Sequence, residues 1–261
     1  STVSPRYARE ITTAKYAAGL HGIINANRKK LLGILNGINT DFYNSKTDEA
    51  IIQQYDEHSM DKKIVNKRAL QKALNLEVND KTCLISVISR LATHKGMDIL
   101  TESVDALMKN DIQLVILGQG ETFYEEKFQT FMKQYPKRIY TIIAFDTNLS
   151  KQIYSASDLF LMPSRSEPCG LSQMIASQYG TIPIVRATGG LYDSINENNG
   201  FVFKEYTSDA LIGIVNSAVA TYQNKTQFNK LIKQAYNTDF SWKKSATQYI
   251  KLYQELKKES K

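Results

Sequence analysis

Two short stretches of this chain carry residue types suited to holding an anionic ligand. "SRLATHKG" (89–96) offers Arg90, a forked donor, and Lys95, a compact cation, in a turn that ends at Gly96. Two cations converging on one spot suit a diphosphate, because a guanidinium engages two oxygens at once and an ammonium adds a point charge. "SRSEPCGLSQ" (164–173) places Gly170, Leu171 and Ser172 at the start of an apolar helical segment. The first amides of a helix lack partners inside it and lie at the positive end of its dipole, so phosphate is favoured there. Gly170 would let a ligand approach the backbone closely. Glu167 can accept hydrogen bonds from sugar hydroxyls, and Pro168 stiffens the turn. Thr188, Gly189 and Gly190 form a third turn of small residues, expected to face the same crevice. Taken singly, each stretch fits solvated loop charges or an ordinary helix start equally well. His21, His58 and His94 show no metal-ligand spacing with Cys83 or Cys169, so neither a metal nor a cofactor is expected. No histidine is placed to activate Cys169, which reads as a small packing residue.

The elements that must position these loops follow from hydrophobic periodicity. Near-continuous apolar runs at 83–89, 112–118, 139–144, 158–163, 182–185 and 201–203 predict strands buried on both faces. Between them Met97, Leu100, Val104, Leu107 and Met108, and then Leu149, Ile153 and Ala156, recur at helical spacing. Strands joined by helical crossovers predict an α/β fold with a doubly wound parallel sheet in the order 3-2-1-4-5-6. In that order strands 1 and 4 are neighbours. The ligand crevice then opens between the loops at their carboxyl ends, which are the two unusual stretches above.

The flanking regions are less regular. Residues 7–30 read as helical pieces, "LLGILNGIN" (31–39) as a strand ending in an Asn-Gly turn, and 41–80 as a polar connection leading into a helix through "NKRALQKAL". Thr207 is placed to cap a helix, and a last helix from Ser241 carries Trp242, Ala246, Tyr249, Ile250, Tyr253 and Leu256 on one stripe. Such a stripe predicts a covering partner: a further domain, or a second copy in a homo-oligomer.

Bulk properties narrow the function classes. No apolar stretch approaches the roughly 20 residues that a bilayer helix needs, and two cysteines are too few for a disulfide framework, which points to a reducing compartment, the cytoplasm. The formal charge is +7, from 33 basic and 26 acidic side chains. Its short basic clusters alternate with apolar residues at helical spacing and read as solvated helix faces rather than a nucleic-acid track.

The segments "VSPRYAREI", "ILNGINTDFYN", "SRLATHKGMDIL", "LVILGQG", "ASDLFLMPSRSEPCGLSQMIASQYGTIPIVRATGGLYDSI", "GFVF" and "TDFSW", in this order, resemble the bacterial and plastid glycogen (starch) synthases. That resemblance implies a GT-B glycosyltransferase, two Rossmann-like domains facing a cleft. Its reaction transfers glucose from ADP-glucose to the nonreducing end of an α-1,4-glucan with retention and without metal. It implies that Arg90 and Lys95 hold the donor diphosphate and that Glu167 orients the glucose, beside Cys169 and Gly170. Leu171 and Ser172 would supply backbone donors to a phosphate, Thr188, Gly189 and Gly190 would line the sugar side, and Asn36 would lie near the reacting sugar. Phe145 stands where the family commonly has a Tyr that stacks on adenine, Ser172 replaces the usual Thr, Ser166 a usual Phe and Ala187 a frequent Arg. Ile175 stands where related retaining enzymes carry a second glutamate. The family's N-terminal Lys-x-Gly-Gly loop and its acceptor-side His segment have no counterpart. The resemblance therefore implies a C-terminal, donor-binding half: 1–38 as the end of the first domain and linker, 39–240 as the Rossmann-like domain, and 241–261 as a helix packing back on the absent domain. A non-catalytic nucleotide- or glucan-binding module on the same fold is the alternative.

Overall fold

A computed structural model describes residues 1–259. Six parallel strands form one sheet: β1 (Cys83–Ile88), β2 (Ile112–Leu117), β3 (Ile139–Ile142), β4 (Leu159–Met162), β5 (Ile182–Arg186) and β6 (Phe201–Phe203). Their order is β3-β2-β1-β4-β5-β6, as the apolar runs predict. β1 runs in register with β2 from Cys83↔Ile112 to Ile88↔Leu117, and with β4 at Ile85↔Leu159 and Ser86↔Phe160. The order of strand addition reverses between β1 and β4, so their crossovers leave on opposite faces and a crevice opens outside the carboxyl ends of these strands.

The helices before the sheet are α1 (Pro5–Glu10), α2 (His21–Ala26) and α3 (Lys63–Ala73). Those between strands are α4 (Met97–Leu107), α5 (Thr122–Gln134), α6 (Thr147–Ala156), α7 (Ser172–Gln178) and α8 (Gly189–Ser194). α9 (Ser208–Gln223), α10 (Lys225–Tyr236) and α11 (Trp242–Glu259) close the chain. One face of the sheet packs Ile85, Val87, Leu114, Ile116 and Leu161 against α4, α5 and α9 through Leu100, Val104, Phe128, Leu211 and Val215. The other buries Leu84, Val115 and Leu117 with Leu70 and Ile153, and Phe160 and Val185 with Met174, Tyr179 and Leu191. Side chains supply the caps: Ser4 for α1, Asp146 for α6 and, as expected, Thr207 for α9.

The amino end of the sheet is pinned by buried charge. Lys67 Nζ lies 2.7 Å from Asp158 Oδ2, which also accepts the Leu84 N–H at 2.8 Å. Lys63 Nζ donates to the carbonyls of Tyr154, Ser155 and Tyr179 and to Thr181 Oγ1, at 2.8–3.1 Å. It thus ties the carboxyl ends of α6 and α7, where helix carbonyls lack partners.

One expectation fails. Residues 31–39 do not form a strand and make no Asn-Gly turn; they run extended with two isolated bridges, Thr2↔Gly33 and Ile38↔Ser241. The apolar content reflects burial rather than strand pairing: Ile34 is buried, and Ile38 is buried in the cluster that contains Phe160, Met162 and Val185. Gly37 permits this path, because a Cβ there would lie 2.4 Å from the Trp242 nitrogen. On α11, Ser245 is buried and donates to the Leu35 carbonyl at 2.6 Å, whereas Trp242, Ile250 and Tyr253 stand exposed.

Candidate active site

The loops after β1 and β4 touch along their backbones. Gly96 has φ +82°, and a Cβ there would sit 2.2 Å from the Pro163 carbonyl oxygen, so only glycine lets the loops close this tightly. Opposite it, the Arg165 N–H donates to the His94 carbonyl at 3.0 Å. Arg186 at the end of β5 is buried and donates to the backbone carbonyls of Ser164 (2.8 Å), Arg165 and Lys204 (3.3 Å), fixing the second loop from beneath.

Closure brings Lys95 and Glu167 together. Lys95 Nζ lies 2.6 Å from Glu167 Oε2, and Ser164 Oγ donates to the same oxygen at 3.2 Å. The side chains are 18% and 9% exposed, so solvent screens the pair only weakly. Arg90 is exposed at the cleft, with a guanidinium nitrogen 3.0 Å from His94 Nε2. Burial, with Lys95 and Arg90 nearby, pushes the His94 ring below its usual range, so it is neutral at pH 7 and can accept from Arg90.

Beside this pair opens a cavity of about 530 Å³, lined among others by Arg90, Gly118, Phe145, Tyr154, Leu171 and Ser172. Gly118 lines it where two loops pass closely, since a Cβ there would meet the Ser89 carbonyl oxygen at 1.9 Å. Phe145 stands at the rim, 87% exposed, presenting an open ring face. Leu171 precedes α7 and gives it no side-chain cap, so the opening amides of that helix are uncapped. Ser172 has its hydroxyl hydrogen-bonded to Tyr154. Lys95 and Glu167 are not in the lining of this cavity; their charges are engaged with each other.

Other predicted residues fall in different surroundings. The Asn36 backbone N–H donates to the Cys169 sulfur, and burial pushes that thiol up to about 11, so it stays protonated at pH 7, as a packing residue should. Gly170 adopts φ +71° with Gln173 against it. Thr188, Gly189 and Gly190 are buried and do not present the open face that the sequence predicts. The Thr188 hydroxyl and Gly189 N–H donate to the Glu10 carboxylate, and the Gly190 N–H donates to the Glu167 carbonyl at 3.0 Å. Sequence reading misses Glu10 and Arg186 because both look like ordinary charged residues until burial and distant partners are known. Among the described residues no group of three or more His, Cys, Asp or Glu could hold a metal ion.

The cavity brings together an exposed aromatic ring, a guanidinium and the uncapped start of α7, groups that suit an anionic ligand carrying a flat ring. Residues 68–238 match the model of the Glycosyl transferases group 1 family. The chain belongs to that family. Over 98% of its length this glycosyltransferase chain is 48% identical to the glycogen synthase of Kosmotoga olearia, 55% of which it covers. It is likewise 48% identical to that of Pseudothermotoga lettingae, covering 54% of it. The chain therefore spans about half the length of the relatives it matches. Its fold matches the catalytic domain of Starch Synthase IV from Arabidopsis thaliana bound to ADP and acarbose, with TM-score 0.91 and 37% identity over 97% of this chain and 55% of that one. A sucrose-phosphate synthase from Thermosynechococcus elongatus shares the fold at TM-score 0.65 and 18% identity. Among the described residues no helix is long and apolar enough to cross a membrane.

Proposed function

We propose that this chain is the donor-binding half of a glycogen or starch synthase, which transfers glucose from ADP-glucose to the nonreducing end of an α-1,4-glucan with retention. The observation that carries the reading is the meeting of the β1 and β4 loops, which sets Arg90 on a nucleotide-sized cavity and Lys95 on Glu167. The ADP and acarbose bound to the starch synthase at TM-score 0.91 support a nucleotide donor and a glucan acceptor.

In this reading the adenine lies against Phe145, and the diphosphate is held by Arg90, Lys95 and the amides around Leu171 and Ser172. Glu167 accepts hydrogen bonds from the glucose, with Asn36, Cys169 and Gly170 close by. Thr188, Gly189 and Gly190 support the sugar side from behind. Reaction breaks the bond from glucose C1 to the β-phosphate and joins C1 to a hydroxyl oxygen of the acceptor, whose proton is lost as ADP departs. Negative charge grows on the departing diphosphate, where fixed cations stabilise the transition state more than the ground state. No group in this scheme requires a metal or cofactor.

Residues 1–38 then form the end of a first domain and the linker, 39–240 the donor domain, and α11 a helix that packs against the first domain. Without that domain the reacting groups are not assembled, so elongation by this chain alone should be poor. Exposed Trp242 and Tyr253 then favour self-association of the isolated chain. The buried free thiols Cys83 and Cys169 suit the reducing cytoplasm.

Calorimetry with ADP and ADP-glucose tests the reading. Binding of both that is weakened about tenfold or more in Arg90→Ala and Lys95→Ala is expected. Glucan binding that survives both changes, with no nucleotide binding, would instead establish a non-catalytic glucan-binding module.

A further inference from the structure

Glu10 is the last residue of α1, in the segment that enters the sheet domain, yet it is only 7% exposed. A buried carboxylate must be compensated by donors. Glu10 receives the Gly189 N–H on both oxygens at 3.1 Å, the Thr188 hydroxyl at 3.3–3.4 Å, and Arg6 Nε at 3.1 Å. Arg6 is itself held on α8: its N–H donates to Asp193 at 2.7 Å and its guanidinium lies 5.0 Å from the centre of the Tyr192 ring.

The turn that Glu10 grips is the one that holds Glu167. The Gly190 N–H donates to the Glu167 carbonyl at 3.0 Å. Gly189, at φ +43°, lies so close that a Cβ on it would be 1.9 Å from that same oxygen. Movement of this turn therefore presses directly on the backbone of Glu167, whose carboxylate faces Lys95 and Ser164. We infer that Glu10 is a positioning residue: through Gly189 and Gly190 it sets the place of the Glu167 carboxylate, and so the grip on the sugar of the donor. The part concerning the sugar rests on the proposed donor role of Glu167; the positioning itself does not.

The contact needs an acceptor of the right reach and not a charge. Glu10→Gln keeps an oxygen for the Gly189 N–H, whereas Glu10→Asp keeps the charge but withdraws it by one methylene, and Glu10→Ala removes it. The first readout is the carbon-13 resonance of the Glu167 carboxylate on the ligand-free chain. It should move in Glu10→Asp and Glu10→Ala, as its distance to Lys95 changes, and stay in place in Glu10→Gln. The second is calorimetry: Glu10→Asp and Glu10→Ala should weaken ADP-glucose binding about tenfold, with ADP binding kept or strengthened, and Glu10→Gln should resemble the parent. If the Glu167 resonance is unchanged in both Glu10→Asp and Glu10→Ala, or if ADP and ADP-glucose weaken equally, the inference is overturned. If the parent chain binds neither nucleotide while the Glu167 resonance moves as described, the positioning role stands and the donor reading falls. Glu10→Asp and Glu10→Gln remain informative if Glu10→Ala does not fold.

Discussion

Because Lys95 and Glu167 are partners in the ligand-free state, Glu167→Gln should tighten the binding of ADP, not weaken it. A diphosphate that recruits Lys95 must first compete with a carboxylate 2.6 Å from the ammonium, and then sits near that carboxylate's charge. The pair is mostly shielded from water, so its hydrogen bond belongs to the charge-assisted class, with a net value of about 1.5–3 kcal/mol. Surrendering that interaction entirely would cost ADP roughly 10- to 150-fold in affinity. Glutamine keeps a neutral acceptor for Lys95 and returns part of the difference, so about a tenfold gain for ADP is expected in Glu167→Gln. ADP-glucose should gain less or lose, since its sugar uses the same carboxylate, and the preference for ADP-glucose over ADP should narrow accordingly. Titration calorimetry of both nucleotides against parent and variant measures this directly. ADP affinity that is unchanged or weaker in Glu167→Gln would refute the idea that the glutamate restrains Lys95.

Arg90 lines the cavity and its guanidinium is hydrogen-bonded to neutral His94, so Arg90→Ala should weaken ADP and ADP-glucose equally, by about tenfold, without lowering the melting temperature. Burial pushes Lys63 down from 10.5 to about 7, against the four oxygens that favour its charged form. The unfolded chain then binds more protons at this group above pH 7, so the contribution of Lys63 to stability should rise by roughly 2 kcal/mol from pH 7 to 9, and Lys63→Met should remove that rise in denaturant titrations. Above about pH 10 the trend should reverse, because burial raises Tyr154, Tyr179 and Tyr222 and their unfolded counterparts ionise first. Gly96→Ala places a methyl against the Pro163 carbonyl at a positive φ, so it should cost about 1–3 kcal/mol in stability and separate the two loops, seen as a lower melting temperature together with weaker ADP binding.

Much of the fold could be read from one dimension. Strands such as Cys83–Ile88 and Ile112–Leu117 are buried on both faces, and that burial writes itself as an unbroken apolar run. Right-handed crossovers then leave few orders for six such strands, and the β1/β4 crevice follows with its two loops. "LLGILNGIN" is also rich in apolar residues and yet is no strand, because a strand is defined by hydrogen bonding along a partner, and its partners are single bridges to Thr2 and Ser241. Thr188, Gly189 and Gly190 were legible as a tight turn; that their donors are taken was not, since the carboxylate that takes them is 178 positions away from Thr188.

Residue types and their local spacing were thus enough to name the loops that meet at the crevice, because periodicity and turn chemistry are properties of neighbours along the chain. Only the tertiary structure decided who answers whom: Lys95 with Glu167 across 72 positions, Arg90 on the cavity wall beside His94, and Glu10 behind the turn that supports Glu167. The physical reason is that a buried charge selects its partner by desolvation and reach in three dimensions, and neither quantity leaves a periodic mark in the order of residues.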